Sequence, residues 1–369
     1  MPVPLMDIRG QYEHLLDDVK RAACDVIDSG RFILGPNVKA LEDEIADAVG
    51  VRQAVAVANG TDALILALEG LLVGPGDEVI CPAHTFYATA EAVARAGARP
   101  VFVDIDPATF NIDAAAVDAA VTERTRAIIA VHLCGQPADL PALREIADRH
   151  GLALIEDAAQ AYGARCDGRQ VGTFGDAATL SFFPSKNLPA MGDAGMVLLR
   201  DRDVADRIRM LRFHGSRDKR VFEHVGMNSR LDEIQAAIMR VLLPHVPGWN
   251  EARRAAAARY AELGLGELVE LPQQARCTCH VYHLYIVRAA ARDALAARLR
   301  ATGIGAVPYY GTPLHLQPVF APLGYKPGDL PHTERAARES LALPMFPTLD
   351  EASQREVVAA VRAAAPAAA

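Results

Sequence analysis

A chain of 369 residues with 51% hydrophobic and 6% aromatic content can bury a large core, which excludes a disordered or fibrous protein. Its 38 basic and 46 acidic residues leave a formal net charge of −8, which argues against a broad nucleic-acid surface but leaves room for a local basic pocket around a diphosphate. Six scattered cysteines with no apolar leader after Met1 lead us to expect reduced thiols in a cytoplasm, and no run, the tail Ala363 to Ala369 included, reaches the roughly 20 apolar residues of a membrane span.

Residues 11–29 carry Leu15, Leu16, Val19, Ala23, Val26 and Ile27 at helical spacing, ended by Ser29-Gly30. Gly35-Pro36-Asn37 resets the chain before a second amphipathic helix on Val38, Leu41, Ile45 and Val49, ended by Gly50. From Gln53 to Gly192, strand-like runs at 54–58, 78–81, 100–103, 127–132 and 152–156 alternate with helical ones, the pattern of βαβ units and a largely parallel sheet. In the fourth unit Asp139 reads as an N-cap, Pro141 as first turn and Gly151 as the stop. Another β-prone run covers 177–183, and helices are predicted over 203–213 and 231–243. Pro244, Pro247 and Gly248 then break the pattern, so we divide the chain there into a large domain, 1–248, and a small one, 249–369. The small one should hold a strand at 283–287, a helix at 289–301, a short strand at 306–309 and two final helices. Cys277-Thr278-Cys279, near His280 and His283, reads as a strand edge in preference to a metal site.

Two strings carry the chemistry. Ile155-Glu156-Asp157-Ala158-Ala159-Gln160 closes a buried strand, so Asp157 stands where open α/β sheets bind ligands. Ser181-Phe182-Phe183-Pro184-Ser185-Lys186-Asn187-Leu188 places Lys186 on a turn after another strand. A carboxylate and a lysine at neighbouring strand ends suggest an amine that forms a Schiff base and an acid that keeps a cofactor nitrogen protonated; a solvated loop lysine and a capping Asp are the alternatives.

The strings EDAAQAYGA, GDAATLSFFPSKNL and GDAGMVLL, with FILGPNVKALE near the start and YYGTPLHLQPVF and SLALPMFP near the end, resemble the sugar-nucleotide aminotransferases of the DegT/DnrJ/EryC1/StrS family. The resemblance covers nearly the whole chain. It implies pyridoxal 5'-phosphate as cofactor and the α/β fold type I of such enzymes, with a mainly parallel seven-stranded sheet flanked by helices and a smaller C-terminal α/β domain. It also implies a homodimer with active sites at the subunit interface.

On that resemblance Lys186 is the covalent anchor and proton carrier, Asp157 meets the pyridine nitrogen, and Gln160 meets the phenolic oxygen. Gly60 and Thr61, at a strand-to-helix turn whose N–H groups suit a phosphate, are the phosphate contacts with Ser181. Phe86 matches the aromatic that stacks on the ring, and Asn228 the residue that reaches the neighbouring subunit's cofactor phosphate. Each of these also has an ordinary structural reading, as a loop, a cap or core. Arg230, Tyr310 and His315 are candidate substrate contacts, and Arg217, Lys219 and Arg220 form a basic cluster suited to a diphosphate. The chain has Pro189 and Ala194-Gly195 where the family commonly has Gly and a Gly pair.

The implied reaction moves an amino group from L-glutamate to a keto sugar on a nucleoside diphosphate. Gln160 and Gly192-Asp193 resemble the enzymes acting at carbon 3; carbon 4 is the alternative, and a non-catalytic regulatory protein the alternative of another class. A dehydratase of the family would carry His in place of Lys186, and a dinucleotide-binding dehydrogenase would need a Gly-x-Gly-x-x-Gly turn that Asn59-Gly60-Thr61-Asp62 lacks. No nucleic acid, membrane or metal is expected as a partner.

Overall fold

The protein was analysed as a computed structural model, which describes residues 2–364; residues 365–369 of the Ala-rich tail lie outside the described residues. The first predicted helix is realised as α1 (Ile8–Tyr12), one 3-10 turn and α2 (Leu16–Ser29), and the second as α3 (Pro36–Val49). Gly30 and Gly50 end α2 and α3 in the left-handed region, at φ 64° and 86°, as their positions predicted.

The βαβ pattern follows as β1 (Gln53–Val57), α4 (Gly60–Gly70), β2 (Glu78–Pro82), α5 (Ala88–Arg95), β3 (Arg99–Val103), α6 (Ala114–Ala120), β4 (Thr125–Val131), α7 (Leu140–His150) and β5 (Ala153–Asp157). A small hairpin, β6 (Arg165–Cys166) and β7 (Arg169–Gln170), precedes β8 (Ala177–Ser181), β9 (Gly195–Leu199) and α8 (Arg202–Leu211). Seven strands form one sheet in the order β1-β9-β8-β5-β4-β2-β3, with only β9 antiparallel to its neighbours. The periodicity reading omits β9. All five of its residues are buried, so it shows no alternation by which sequence could announce it.

Period-2 alternation sends successive residues of each strand into different cores. Ala54, Ala56, Leu154, Leu180 and Met196 pack with α3, α7 and α9 (Glu233–Leu242) on one face. Val55, Val57, Ile155, Val197 and Leu199 pack with α4, α5 and α8 on the other.

The expected break at Pro244 and Pro247 takes the form of a change of helix type. After α9 comes a single 3-10 turn (Leu243–His245), and α10 (Val246–Glu262) continues from it. Each proline lies in the first turn of the segment it opens, where its missing N–H is not needed. Beyond it, β10 (Thr278–Cys279) pairs with β6, so the Cys277–Cys279 stretch is indeed a strand edge. β11 (Tyr285–Arg288), α11 (Arg292–Ala301), α12 (Pro331–Glu339), β12 (Ser340–Leu343) and α13 (Glu351–Ala364) complete the chain. β11 and β12 pair antiparallel; the predicted strand at 306–309 is reduced to one bridge, Val307 to Ala342. No described helix is long and apolar enough to cross a membrane.

One buried group ties the hairpin to the sheet. Glu156, fully buried, accepts the N–H groups of Gly172 (2.7 Å), Phe174 (2.8 Å) and Gly175 (2.7 Å), and its Oε2 lies 3.1 Å from His132 Nε2. His132 Nδ1 accepts from Ala138 N at 3.1 Å, which puts the ring proton on Nε2, where it donates to Glu156. Burial raises the Glu156 pKa, but these donors outweigh it and hold the carboxyl below the usual range. Replacing Glu156 by Ala orphans four buried donors. Glu156→Ala should therefore lower unfolding free energy by about 3–5 kcal/mol in urea denaturation. A loss under about 1 kcal/mol would show that the hairpin is held by something else.

Candidate active site

The C-terminal ends of β1, β5 and β8 and the start of β9 converge. Register pairs Gly195 with Val57 on one side and Ser181 on the other. A Cβ at Gly195 would lie 2.3 Å from the Asn59 carbonyl oxygen, so only glycine lets the strand start pass under the β1–α4 turn. Ala194, just before it, is buried without such a demand, which explains how one residue of the expected Gly pair can differ.

In that turn Asn59 caps α4, its Oδ1 accepting from Asp62 N at 2.8 Å. The N–H groups of Gly60 and Thr61 lie in the first turn and have no partner within the helix. Gly60 also abuts Ser181, since a Cβ there would come within 2.7 Å of the Ser181 Cβ. The structure thus brings Gly60, Thr61 and Ser181 into one cradle of two N–H groups and a hydroxyl, the donor set a phosphate monoester takes.

Asp157, 6% exposed, ends β5. Its Oδ2 accepts from Thr89 Oγ1 at 3.0 Å and its Oδ1 from Ala159 N at 3.2 Å; no helix follows, so it is no helix cap. A carboxylate has lone pairs for more than two donors, so one further N–H can bind. Burial is the largest influence on its pKa and raises it, against the lowering by Ala159 N–H, Thr89 and the Lys186 charge. Thr89 in turn lies 3.1 Å from Thr85 Oγ1. Sequence reasoning missed this pair, although the i, i+4 spacing of two threonines at the entry to α5 is a visible signal.

Lys186 follows the Phe183–Lys186 turn, closed by Lys186 N donating to Phe183 O at 2.8 Å. Its residue is partly exposed, and its amine makes no hydrogen bond within the described chain. Burial draws its pKa down to about 8, against the opposing pull of Asp157 and Cys134. Next to it, buried Asn187 donates to Asn250 Oδ1 at 2.7 Å and Val281 O at 3.1 Å, pinning the lysine loop to α10 and to the segment before β11. No sequence signal marked that clamp, because its partners are about 63 and 94 residues away.

Gln160 is held by two partners: its Oε1 accepts from Cys134 N at 2.7 Å and its Nε2 donates to the Tyr310 hydroxyl at 2.9 Å. The Phe86 ring lies 6.1 Å from Tyr310 and is 56% exposed. Phe86, Gln160 and Tyr310 therefore belong to one cluster, joined by His84, a buried ring without hydrogen-bond partners that burial keeps neutral with a pKa of about 4.

Of the other candidates, Asn228 and Arg230 flank Ser229, whose hydroxyl accepts from Ala58 N at 3.0 Å just before the β1–α4 turn. His315 is buried against Glu334 (3.3 Å) and Tyr325 and shares no contact with Tyr310. Asn228 is exposed on a protruding segment, and Arg230 has no ion pair among the described residues. Glu233, three residues on from Arg230, does not pair with it and instead accepts from Asn37 and Val38 N–H at the start of α3. In the basic cluster Arg217 pairs with Glu223 at 3.3 Å and Lys219 stacks on Phe213. No group of three or more His, Cys, Asp or Glu among the described residues could hold a metal ion.

A desolvated lysine and a buried acid beside a phosphate cradle, at the strand ends of an α/β sheet, define an enzyme site for amine chemistry on a phosphorylated cofactor. The chain belongs to the DegT/DnrJ/EryC1/StrS aminotransferase family, whose model matches residues 15–362. It is 54% identical to a pleiotropic regulatory protein of Geobacillus stearothermophilus, covering 97% of each chain. It is 46% identical to dTDP-3-amino-3,4,6-trideoxy-alpha-D-glucose transaminase of Streptomyces venezuelae, covering 98% of this chain and 95% of that one. It is 45% identical to UDP-N-acetyl-3-dehydro-alpha-D-glucosamine 3-aminotransferase of Acidithiobacillus ferrooxidans, over 98% and 97%. Among solved structures, S. venezuelae DesV in complex with a ketimine intermediate superposes with a TM-score of 0.95 at 46% identity over 98% of both chains. NtdA of Bacillus subtilis with bound cofactor PMP gives 0.90 at 31% identity, over 98% and 85%.

The Lys186 amine should lose its proton near pH 8 instead of near the ordinary 10.5. NMR of the 13C-methylated protein without cofactor, with Lys186→Ala to identify the signal, measures this. Because Asp157 pulls that value upward, Asp157→Asn should lower the midpoint further. A midpoint near 10.5 would mean that the amine is solvated.

Proposed function

We propose that this protein is a pyridoxal 5'-phosphate-dependent transaminase that carries an amino group from L-glutamate to the keto group of a nucleotide-linked sugar, at carbon 3. One observation carries the reading: a lysine amine free of hydrogen bonds and drawn down to about pKa 8, within electrostatic reach of a buried acid, at the strand ends beside the Gly60–Ser181 cradle. The residues fit the cofactor. The N–H groups of Gly60 and Thr61 and the Ser181 hydroxyl would hold its phosphate, Phe86 would lie against its ring, and Asp157 would keep its ring nitrogen protonated.

When bound, the cofactor supplies an aldehyde that takes up the amino group and a ring that accepts the electrons of the broken C–H bond. Lys186 would anchor that aldehyde through its amine and, with its pKa of about 8, would carry the proton taken from the substrate carbon on its Nζ. Asp157, its carboxylate fixed by Thr89, would keep the ring nitrogen protonated. The 3-keto preference rests on Gln160 and Gly192-Asp193, and the names of two relatives, each a 3-amino or 3-aminotransferase activity, support it. The regulatory name belongs to another relative; here the complete lysine and acid pair favours catalysis.

Two homologous subunits would share each site. The segment carrying Asn228 leaves Val225 97% and Phe222 59% exposed, and Phe86 and Phe183 are exposed as well; such open apolar side chains support an interface, with Asn228 reaching the partner's phosphate and Arg230 and Tyr310 meeting substrate. The division near residue 248 is supported by a third apolar cluster, which draws Tyr260, Val287, Leu299, Leu341 and Val357 together and takes only Val3 from the N-terminal part. A cytoplasmic location fits free cysteines throughout the described chain.

The purified protein with pyridoxal phosphate and L-glutamate should convert dTDP- or UDP-linked 3-keto sugars to amino sugars and release 2-oxoglutarate. Lys186→Ala should lower turnover by about 10²–10⁴-fold or more. Amination of 4-keto sugars alone would remove the carbon-3 assignment; full activity of Lys186→Ala would remove the mechanism.

A further inference from the structure

At the end of the sheet away from the lysine, the chain builds a second polar site. Register places Gln53 beside Leu199, so Arg52 and Arg200, the residues just outside those two, emerge side by side. Strands of five residues, at about 3.3 Å each, set this edge about 13–17 Å from Val57 and Gly195. A cleft of about 580 Å³ opens here, between the end of α3, the start of β1 and the β6–β7 hairpin, and Arg52, Arg165, Arg169 and Arg200 all line it. No carboxylate lines it.

In a chain with an excess of acids, such a grouping stands out by its lack of counter-charge. Arg144, Arg212 and Arg240 each meet a carboxylate, whereas none of these four forms an ion pair among the described residues. Two of them are held in place all the same. Arg169 lies 4.0 Å over the Phe174 ring and donates to Thr173 O at 2.8 Å, and Arg165 donates to Gly168 O at 3.0 Å. Each guanidinium has five N–H donors, so most are left for a ligand. The hairpin that carries them is itself anchored by Glu156. At the carbonyl end of α3, Ala46 O is taken up by Gly50 N and Val51 N, and the guanidiniums offset what negative character remains.

We propose that this cleft binds the di- or triphosphate group of a small molecule, at a site separate from the catalytic one. Four unpaired guanidiniums offer bidentate contacts that match phosphate oxygens and a charge that a single carboxylate would not balance. The volume falls within the range of small-ligand pockets, and the Ala48 and Val51 side gives an apolar wall for the remainder of the molecule.

Titration calorimetry of the cofactor-saturated protein with inorganic tripolyphosphate tests this, because the phosphate cradle at Gly60 is then filled. One saturable binding event that weakens as salt is raised should belong to this cleft, beside any binding at the substrate's diphosphate site, and is identified by its loss in the variants. Arg165→Gln/Arg169→Gln and Arg52→Gln/Arg200→Gln should each bind at least 10-fold more weakly, with circular dichroism and transamination unchanged. Binding is read as heat, so the outcome stands whatever sugar the catalytic site takes. Equal binding by both variants, or no saturation in the parent, would overturn the site. Tighter binding of a single-stranded oligonucleotide than of tripolyphosphate at equal salt would overturn the small-molecule assignment.

Discussion

Burial of an amine next to a carboxylate, both at one edge of one sheet, is the constraint on which the rest of this molecule depends. In water the two would simply pair as ions. Here loss of solvent penalises both charges, so the lysine is drawn down and the acid pushed up in spite of their attraction. That balance requires a site that cannot relax or admit water freely, and a seven-stranded sheet covered on both faces supplies the stiffness.

The support of that edge follows from strand alternation. Consecutive residues of β5 face opposite ways, so Asp157 turns to Thr89 and the lysine side while Glu156 turns to the hairpin and His132. One dipeptide thus serves the site and its foundation. The same economy appears at Gly195, where a missing side chain lets β9 start against the turn that carries the phosphate cradle.

Much of this edge is legible in the sequence because its signals are local. Apolar runs bounded by turn residues mark β1, β5 and β8; Asp157 closes β5, and Gly60, Thr61 and Lys186 follow within five residues of the ends of β1 and β8. Tyr310 was singled out by its motif, but its bond to Gln160, 150 residues away, has no local trace. His315 lies in the same motif, yet its ring turns to Glu334, since a 3-10 turn at Leu314–Leu316 rotates it away from its neighbour five residues earlier.

Sequence by itself determined the alternation of strand and helix, the strand ends at which chemistry can occur, and the residue types placed there, because periodicity and turn residues act over a few positions. Tertiary structure alone decided which strand ends meet and that β9 runs antiparallel between β1 and β8. It decided too that α10 follows α9 through one 3-10 turn, and that four arginines from three separate stretches share one cleft. These depend on contacts between residues far apart in the chain, which are settled by the packing of whole faces and by the satisfaction of buried donors, and no short window of sequence contains either.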